Sequence, residues 1–395
     1  MPGRKAEPDI DMNAREHEAQ HLLQVYGQLP IEPESADGVY LNYGNRRIID
    51  FYGGHAVACL GYGHPAMLEA LSEQAKTVLF QSNAVAMDVR AAAADALAEF
   101  APGNLNHVFF TNSGAESNEN ALRIACKLTG RNRVAAIEHG FHGRTAAAGA
   151  VTWGARNKWY AFPNTPFEVD FLPRDDSAAV DDIVGDDTAA VILELVQGLA
   201  GAYDLDPGFV RTIAKACRSK GVMLIVDEVQ TGIGRCGEPF ATNIYKVEPD
   251  IITLAKSIAG GIPCGAVVVT DDIAKSMASG DLGSTFGGGP LACAMVSTVL
   301  DVIKREGLMD NIRSLSAQIA QACPIGPVDS VQGKGFLRGL RTRRSAAVVR
   351  NELLERDLLV GTSTDPHVVW LLPPYILKTK HVQRLLGALA ELPEE

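Results

Sequence analysis

The sequence predicts an α/β fold: a mainly parallel sheet covered by helices, followed by a small α+β C-terminal unit. Three observations carry that prediction. Short β-rich runs bounded by turn residues alternate with apolar periodic stretches of helical length. The runs are apolar throughout, as strands buried on both faces must be. After about Pro290 the alternation gives way to one long helical stretch and a shorter mixed pattern.

Taken in order, strand-like runs fall at 107–111, 133–138, 189–196, 222–229, 251–255 and 266–270. Helical periodicity fills 117–129 and 209–219 between them. A long helix over 291–306 leads into a mixed unit that includes 335–341, a helix at 346–356, a run at 368–372 and a last helix from about Lys380. The chain thus divides into an N-terminal segment, 1–50, expected to pack on the small domain, a large domain, 51–290, and a small C-terminal domain, 291–395. No internal repeat, low-complexity tract or Pro/Ser-rich linker interrupts it.

The 395 residues are 47% apolar, with 36 Lys and Arg against 47 Asp and Glu, a net charge of −11. So acidic a surface repels phosphate backbones and argues against nucleic acid or an anionic membrane as partner. No run approaches the roughly 18–20 apolar residues of a membrane span. The polar, acidic start reads as neither signal nor transit peptide. Seven cysteines, at 59, 126, 217, 236, 264, 293 and 323, are scattered without CxxC spacing, so reduced thiols and a cytoplasmic location are expected. No histidine spacing points to a metal.

In parallel sheets the chemistry lies beyond the carboxyl ends of the strands. The run 222–229 ends in Asp227 and Glu228. A buried acid either caps the next turn or serves a reaction. The following run ends in Lys256, directly before a glycine-rich loop. Lysine is rarely buried, so it needs a partner or a reaction there. An acid and a lysine at adjacent strand ends are what pyridoxal phosphate requires: an amine to bind it and a carboxylate to keep its ring nitrogen protonated. Phe110-Thr-Asn-Ser-Gly-Ala-Glu is a strand, a small-residue turn and a helix start. The amides of Ser113, Gly114 and Ala115 there either hold an anion or belong to an ordinary cap. In Gly140-Phe-His-Gly-Arg-Thr, Phe141 either stacks on a planar ring or fills the core, and Arg144 is a carboxylate fork or a surface charge.

With these residues in view, the chain resembles the class III aminotransferases of the fold-type-I pyridoxal phosphate (PLP) enzymes, in particular the acetylornithine/ornithine subgroup. The likeness runs collinearly from about Gly38 to about Leu389 through Gly61-Tyr-Gly-His-Pro, Asn112-Ser-Gly-Ala-Glu, Phe141-His-Gly-Arg-Thr, Asp227-Glu-Val-Gln-Thr-Gly, Leu254-Ala-Lys, Ser284-Thr-Phe-Gly-Gly and Leu372-Pro-Pro. The resemblance implies a seven-stranded sheet and PLP as cofactor. It makes Lys256 the Schiff-base lysine and proton shuttle, with Asp227 on the pyridinium nitrogen, Gln230 on the ring 3′-oxygen and Phe141 stacked on the ring. It puts His142 and Glu194 among the cofactor-binding residues. Ser113, Gly114 and Ala115 would hold the phosphate, joined by Thr285 from the neighbouring subunit of a homodimer. Arg144 would grip the distal carboxylate of the substrate.

The sequence departs from the family where two substrates share one pocket. Relatives bind the α-carboxylate of glutamate with an arginine four residues before the second proline of Pro-Pro, and neutralise it with a glutamate after Gln-Gly. Here those places hold Trp370 and Leu199, and Leu195 replaces a proline. Losing both together is coherent, because either alone would strand a desolvated charge. Alternatively Arg338, Arg341 or Lys378 supplies the charge. His55, in Gly53-Gly-His-Ala-Val, either binds a carboxylate or fills a core gap. Ser82-Asn-Ala-Val lacks the aromatic residue common in relatives, which makes one wall smaller. The expected activity is ping-pong transfer of a terminal amino group from an N-acylated diamino acid to 2-oxoglutarate. The rivals are an amine transaminase pairing hydrophobic amines with pyruvate, another PLP reaction, and a non-catalytic scaffold.

Overall fold

The computed structural model describes residues 13–395. At its centre stands a seven-stranded sheet built from β1 (Leu105–Thr111), β2 (Arg133–Ile137), β3 (Glu168–Leu172), β4 (Thr188–Leu193), β5 (Met223–Asp227), β6 (Ile251–Leu254) and β7 (Gly265–Thr270). Their order across the sheet is β1-β7-β6-β5-β4-β2-β3. Only β7 runs against the rest, pairing antiparallel with both β1 and β6. The other six point one way, so their carboxyl ends share one edge.

Helices cover both faces. Gly114–Thr129 follows β1, capped by Ser113, whose side chain accepts from the Glu116 amide, and closed by left-handed Gly130. Pro207–Lys220 precedes β5, with Asp206 as its cap and Pro207 in its first turn. The core strands are apolar and buried along their whole length, which is why they read clearly in the sequence.

Two of the expected strands end early. The run at 189–196 stops at Leu193, because Glu194 turns its carboxylate to the amides of Phe141 (2.9 Å) and Gly198 (3.0 Å). Val196–Gln197 instead pairs with Tyr203–Asp204. The run at 222–229 stops at Asp227, whose Oδ1 accepts from the Val229 amide at 3.0 Å.

Pro290–Arg305 packs on the helices Pro65–Thr77 and Asp88–Phe100 and hands the chain to Leu308–Ala322. Val328–Lys334, Leu337–Thr342, Val368–Leu371 and Gly361–Thr362 then form an antiparallel sheet in that order. Near the other end of the chain, Arg46–Asp50 pairs in parallel with Leu358–Leu359. Among the described residues no helix is long and apolar enough to cross a membrane.

Candidate active site

The shared strand edge opens into a cavity of about 470 Å³. Each strand delivers one part of it: β1 leads to Ser113–Ala115, β2 to Phe141 and His142, β4 to Glu194, β5 to Asp227 and β6 to Lys256.

Asp227 is almost wholly buried, and its carboxylate is fully engaged. Oδ2 accepts from Asn118 Nδ2 at 2.7 Å and lies 2.7 Å from His142 Nδ1. Asn118 is itself fixed, accepting from Thr253 Oγ1 at 2.6 Å and donating to the His142 carbonyl at 2.7 Å. These donors satisfy a carboxylate that would otherwise be costly to bury. Glu228, the neighbouring acid, plays another part: it accepts from the Ala241 and Thr242 amides at 3.1 and 2.7 Å and anchors the helix Ala241–Tyr245. Glu194 is buried beside Asp227, and burial first, then that neighbouring charge, raise its pKa.

Lys256 sits in the left-handed region at φ 46°, where a side chain is strained. Burial pushes its ammonium below the usual lysine range, only partly offset by Glu194 and Asp227. The result is an amine that loses its proton more readily than a surface lysine and that makes no hydrogen bond among the described residues. It lines the cavity, where such an amine suits a nucleophile or a proton carrier.

The far wall comes from the turn Gly53–Ala56, where all four residues have positive φ, between 56° and 69°. His55 lines the cavity with its Nδ1 bonded to the Tyr52 hydroxyl. Burial and the Lys256 charge lower its pKa to about 4. Trp370 is completely buried and meets His55 edge-on at 5.1 Å, so His55 and not Trp370 faces the lumen. Leu199 lines the wall directly. Arg144, exposed at the mouth, lies 4.7 Å over the Trp159 ring. The other candidate cations are engaged elsewhere: Arg338 with Ser316 and the Gly333 carbonyl, and Arg341 with Asp365 at 2.9 Å. Lys378 does not line the cavity either. Thr285 is exposed outside the cavity of its own chain, next to Ser284, whose Oγ meets Asn112 Nδ2 at 3.2 Å and Glu116 Oε1 at 3.3 Å.

Similarity to known proteins agrees with this geometry. The acetylornithine aminotransferase of Methanopyrus kandleri is 39% identical over 96% of this chain and 98% of that protein. The ornithine aminotransferase of Toxoplasma gondii superposes with a TM-score of 0.87 at 28% identity, covering 95% of this chain and 93% of that one. An (S)-enantioselective omega-transaminase from Thermomicrobium roseum gives 0.86 at 29% identity, over 96% and 98%. The family model for class-III aminotransferases matches residues 24–392. The chain is a class-III aminotransferase.

A class-III aminotransferase takes an amino donor and a 2-oxo acid acceptor and uses PLP. The cavity fits that cofactor. Gln230 lines the cavity, and its buried Oε1 has no partner among the described residues. The amides of Gly114 and Ala115 open a 16-residue helix and have no partner among the described residues. A Cβ at Gly114 would press on Val229 Cγ1 at 2.8 Å, so only glycine leaves that cradle open. Among the described residues no cluster of His, Cys, Asp or Glu is placed to hold a metal.

Sequence reasoning missed two parts of the aminotransferase site. Asn118 was legible as a polar residue on the buried face of an amphipathic helix, beside Ser117 and Asn120. The buried Arg235 gave no such signal, since its partners lie far away in sequence, and Tyr52 reaches His55 only through the left-handed turn between them. Arg235 donates to the carbonyls of Ala56 (3.2 Å) and Pro373 (2.5 Å) and so pins the turn that carries His55.

Proposed function

We propose that this aminotransferase moves the terminal amino group of an N-acylated diamino acid, of the acetylornithine class, to 2-oxoglutarate by a ping-pong mechanism. One observation carries the reading: among the described residues Arg144 is the only arginine lining the cavity, and an apolar wall of Val57, Leu199 and Ile262 accompanies the path to Lys256. A molecule with one carboxylate, a neutral acyl amide and a terminal amine matches that layout. The acetylornithine aminotransferase of Methanopyrus kandleri, 39% identical, supports the same substrate.

In this reading Lys256 would bind the cofactor covalently and, once substrate takes its place, would carry protons at its Nζ. Bound PLP would supply the electron sink for the carbon–hydrogen bond that breaks. Asp227, held in place by Asn118 and His142, would serve the ring nitrogen, Gln230 the ring oxygen and Phe141 the ring face, with Glu194 fixing the Phe141 amide. Ser113, Gly114 and Ala115 would hold the phosphate together with the partner subunit's Thr285. A homodimer is supported by a second cleft, lined by Leu79, Phe80, Phe286 and Leu291, that shares Asn112, Ile262 and Pro263 with the active cavity. The unit 51–290 then forms the cofactor-binding domain, and 291–395 backs the far wall through Trp370. Seven free cysteines support a reducing, cytoplasmic setting.

A second reading, an amine transaminase using pyruvate, draws on the apolar Leu199 wall. Half-reactions on the cofactor-loaded enzyme separate the two, following the visible band of the lysine-bound cofactor. Rapid loss of that band with N-acetylornithine and glutamate is expected. Rapid loss with alanine or 1-phenylethylamine, and slow loss with the other pair, replaces the first reading by the second.

A further inference from the structure

The cavity contains two lysine or arginine side chains, Lys256 on the floor and Arg144 at the mouth. A substrate with a single distal carboxylate uses Arg144. A dicarboxylate such as glutamate brings a second carboxylate, on the reacting carbon, and this one must lie beside Lys256. We propose that His55 is the specificity-determining residue for that second carboxylate, to which its Nε2–H donates. This deepens the aminotransferase reading above and rests on it.

Geometry supports the assignment. Tyr52 takes Nδ1, and among the described residues no other partner competes for the Tyr52 hydroxyl. Asp50, an acid behind the turn, is already engaged by the Tyr62 hydroxyl at 2.6 Å and by the amides of Tyr52 and Gly53 at 2.7 and 2.8 Å. With Tyr52 donating to Nδ1, a neutral ring carries its proton on Nε2, which has no partner among the described residues. His55 shares the cavity wall with Lys256, and the lysine charge is felt at the imidazole. Arg235 lies beyond the turn, on the Ala56 carbonyl, and contributes no donor to the lumen.

The turn is built to hold this ring still. His55 and Ala56 both adopt left-handed backbone, which L side chains rarely do. Such strain persists only where surroundings over-determine it. Here they do: Arg235 and Ser257 Oγ both donate to the Ala56 carbonyl, at 3.2 and 2.8 Å, and Trp370 backs the ring.

A neutral donor also resolves the two-substrate problem. A fixed arginine at this place would be left desolvated and unpaired whenever a terminal amine is bound. The imidazole leaves no such charge, yet it can gain a proton from solvent when a carboxylate arrives.

The test uses the cofactor-loaded enzyme with two unreactive probes, glutarate and pentanoate, which differ by one carboxylate. Calorimetry on wild type should favour glutarate, and His55→Leu should cut that preference about 10- to 100-fold, the size of a hydrogen bond to a charged group. His55→Gln, which keeps an N–H donor, should recover part of it. In single turnovers the ratio of glutamate to N-acetylornithine rates should fall in His55→Leu by the same order. Equal loss of both probes, or a preference unchanged within twofold, overturns the proposal. Should His55→Leu fail to retain cofactor, Tyr52→Phe serves instead: it frees Nδ1 and should cut the preference severalfold, and no change there overturns the proposal equally. If wild type reacts with neither glutamate nor N-acetylornithine, the functional reading fails separately, and the probe preference still decides His55.

Discussion

Asn118 and His142 converge on a single oxygen of Asp227, Asn118 Nδ2 at 2.7 Å and His142 Nδ1 at 2.7 Å, while the other oxygen takes the Val229 amide. Three elements, the helix after β1, the loop after β2 and the end of β5, are thereby tied to one carboxylate. Its hydrogen-bond shell is a product of the assembled sheet edge.

Replacing Asn118 by alanine removes one of the two side-chain donors and leaves Thr253 Oγ1 without its acceptor. A hydrogen bond to a charged group is worth about 1.5–3 kcal/mol, so stopped-flow half-reactions should slow about 10- to 100-fold. Asn118→Asp should be worse, because it sets a like charge against Asp227. Wild-type rates in Asn118→Ala would show that His142 alone suffices.

Gly198 lies against the side chain of Gln230: a Cβ there would come within 1.4 Å of Gln230 Oε1. Gly198→Ala should therefore swing Gln230 out of the site without unfolding the chain. Losing one hydrogen bond of about 0.5–1.5 kcal/mol predicts cofactor affinity weaker by about 2- to 10-fold. Equilibrium dialysis of the enzyme against PLP measures this directly.

Trp370 is fully buried, and among the described residues no acid lines the wall beside it. Trp370→Arg should lower thermal stability by about 3–5 kcal/mol, the cost of an unpaired buried charge. Adding Leu199→Glu should recover part of that loss, since Leu199 faces the same wall. Melting curves of the single and double variants give the coupling, and a double variant no more stable than the single would mean the two positions do not meet.

Burial raises the thiols: Cys59, Cys293 and Cys323 to about 11, Cys217 and Cys264 to about 12. At pH 8 a thiol at 11 is ionised in about one molecule per thousand, and only the thiolate reacts. Cys126 and Cys323 are the half-buried ones, so rapid labelling of native enzyme should reach at most these two, and denaturant should release all seven. The slow rates should climb about tenfold per pH unit, because raising pH moves toward the elevated pKa.

The parts of the fold legible in the sequence are those buried on both faces. β4, β5, β6 and β7 read as apolar runs, and the ends of β5 and β6 mark Asp227 and Lys256, whereas Glu194 fell inside the run expected at 189–196. β3 escaped notice because it is an edge strand: Glu-Val-Asp-Phe-Leu alternates, and Glu168 and Asp170 both pair with Arg133. Motif spacing brought Ser113–Ala115, Phe141, Arg144, Gln230 and Lys256 to one cavity. It could not tell which of His55 and Trp370 faces the lumen, since that depends on a left-handed turn held by residues almost 180 and more than 300 positions away.

That long reach has a consequence for biosynthesis. The Phe51 carbonyl receives the Leu372 amide at 2.7 Å, and the Cys59 carbonyl receives the Tyr375 amide at 2.6 Å. The wall beside His55 is therefore closed by residues synthesised more than 300 positions after it. A nascent chain halted before 370 already contains the whole sheet edge and its lysine, yet lacks the strand that holds that wall in place. The sheet edge is thus assembled before the wall that faces it.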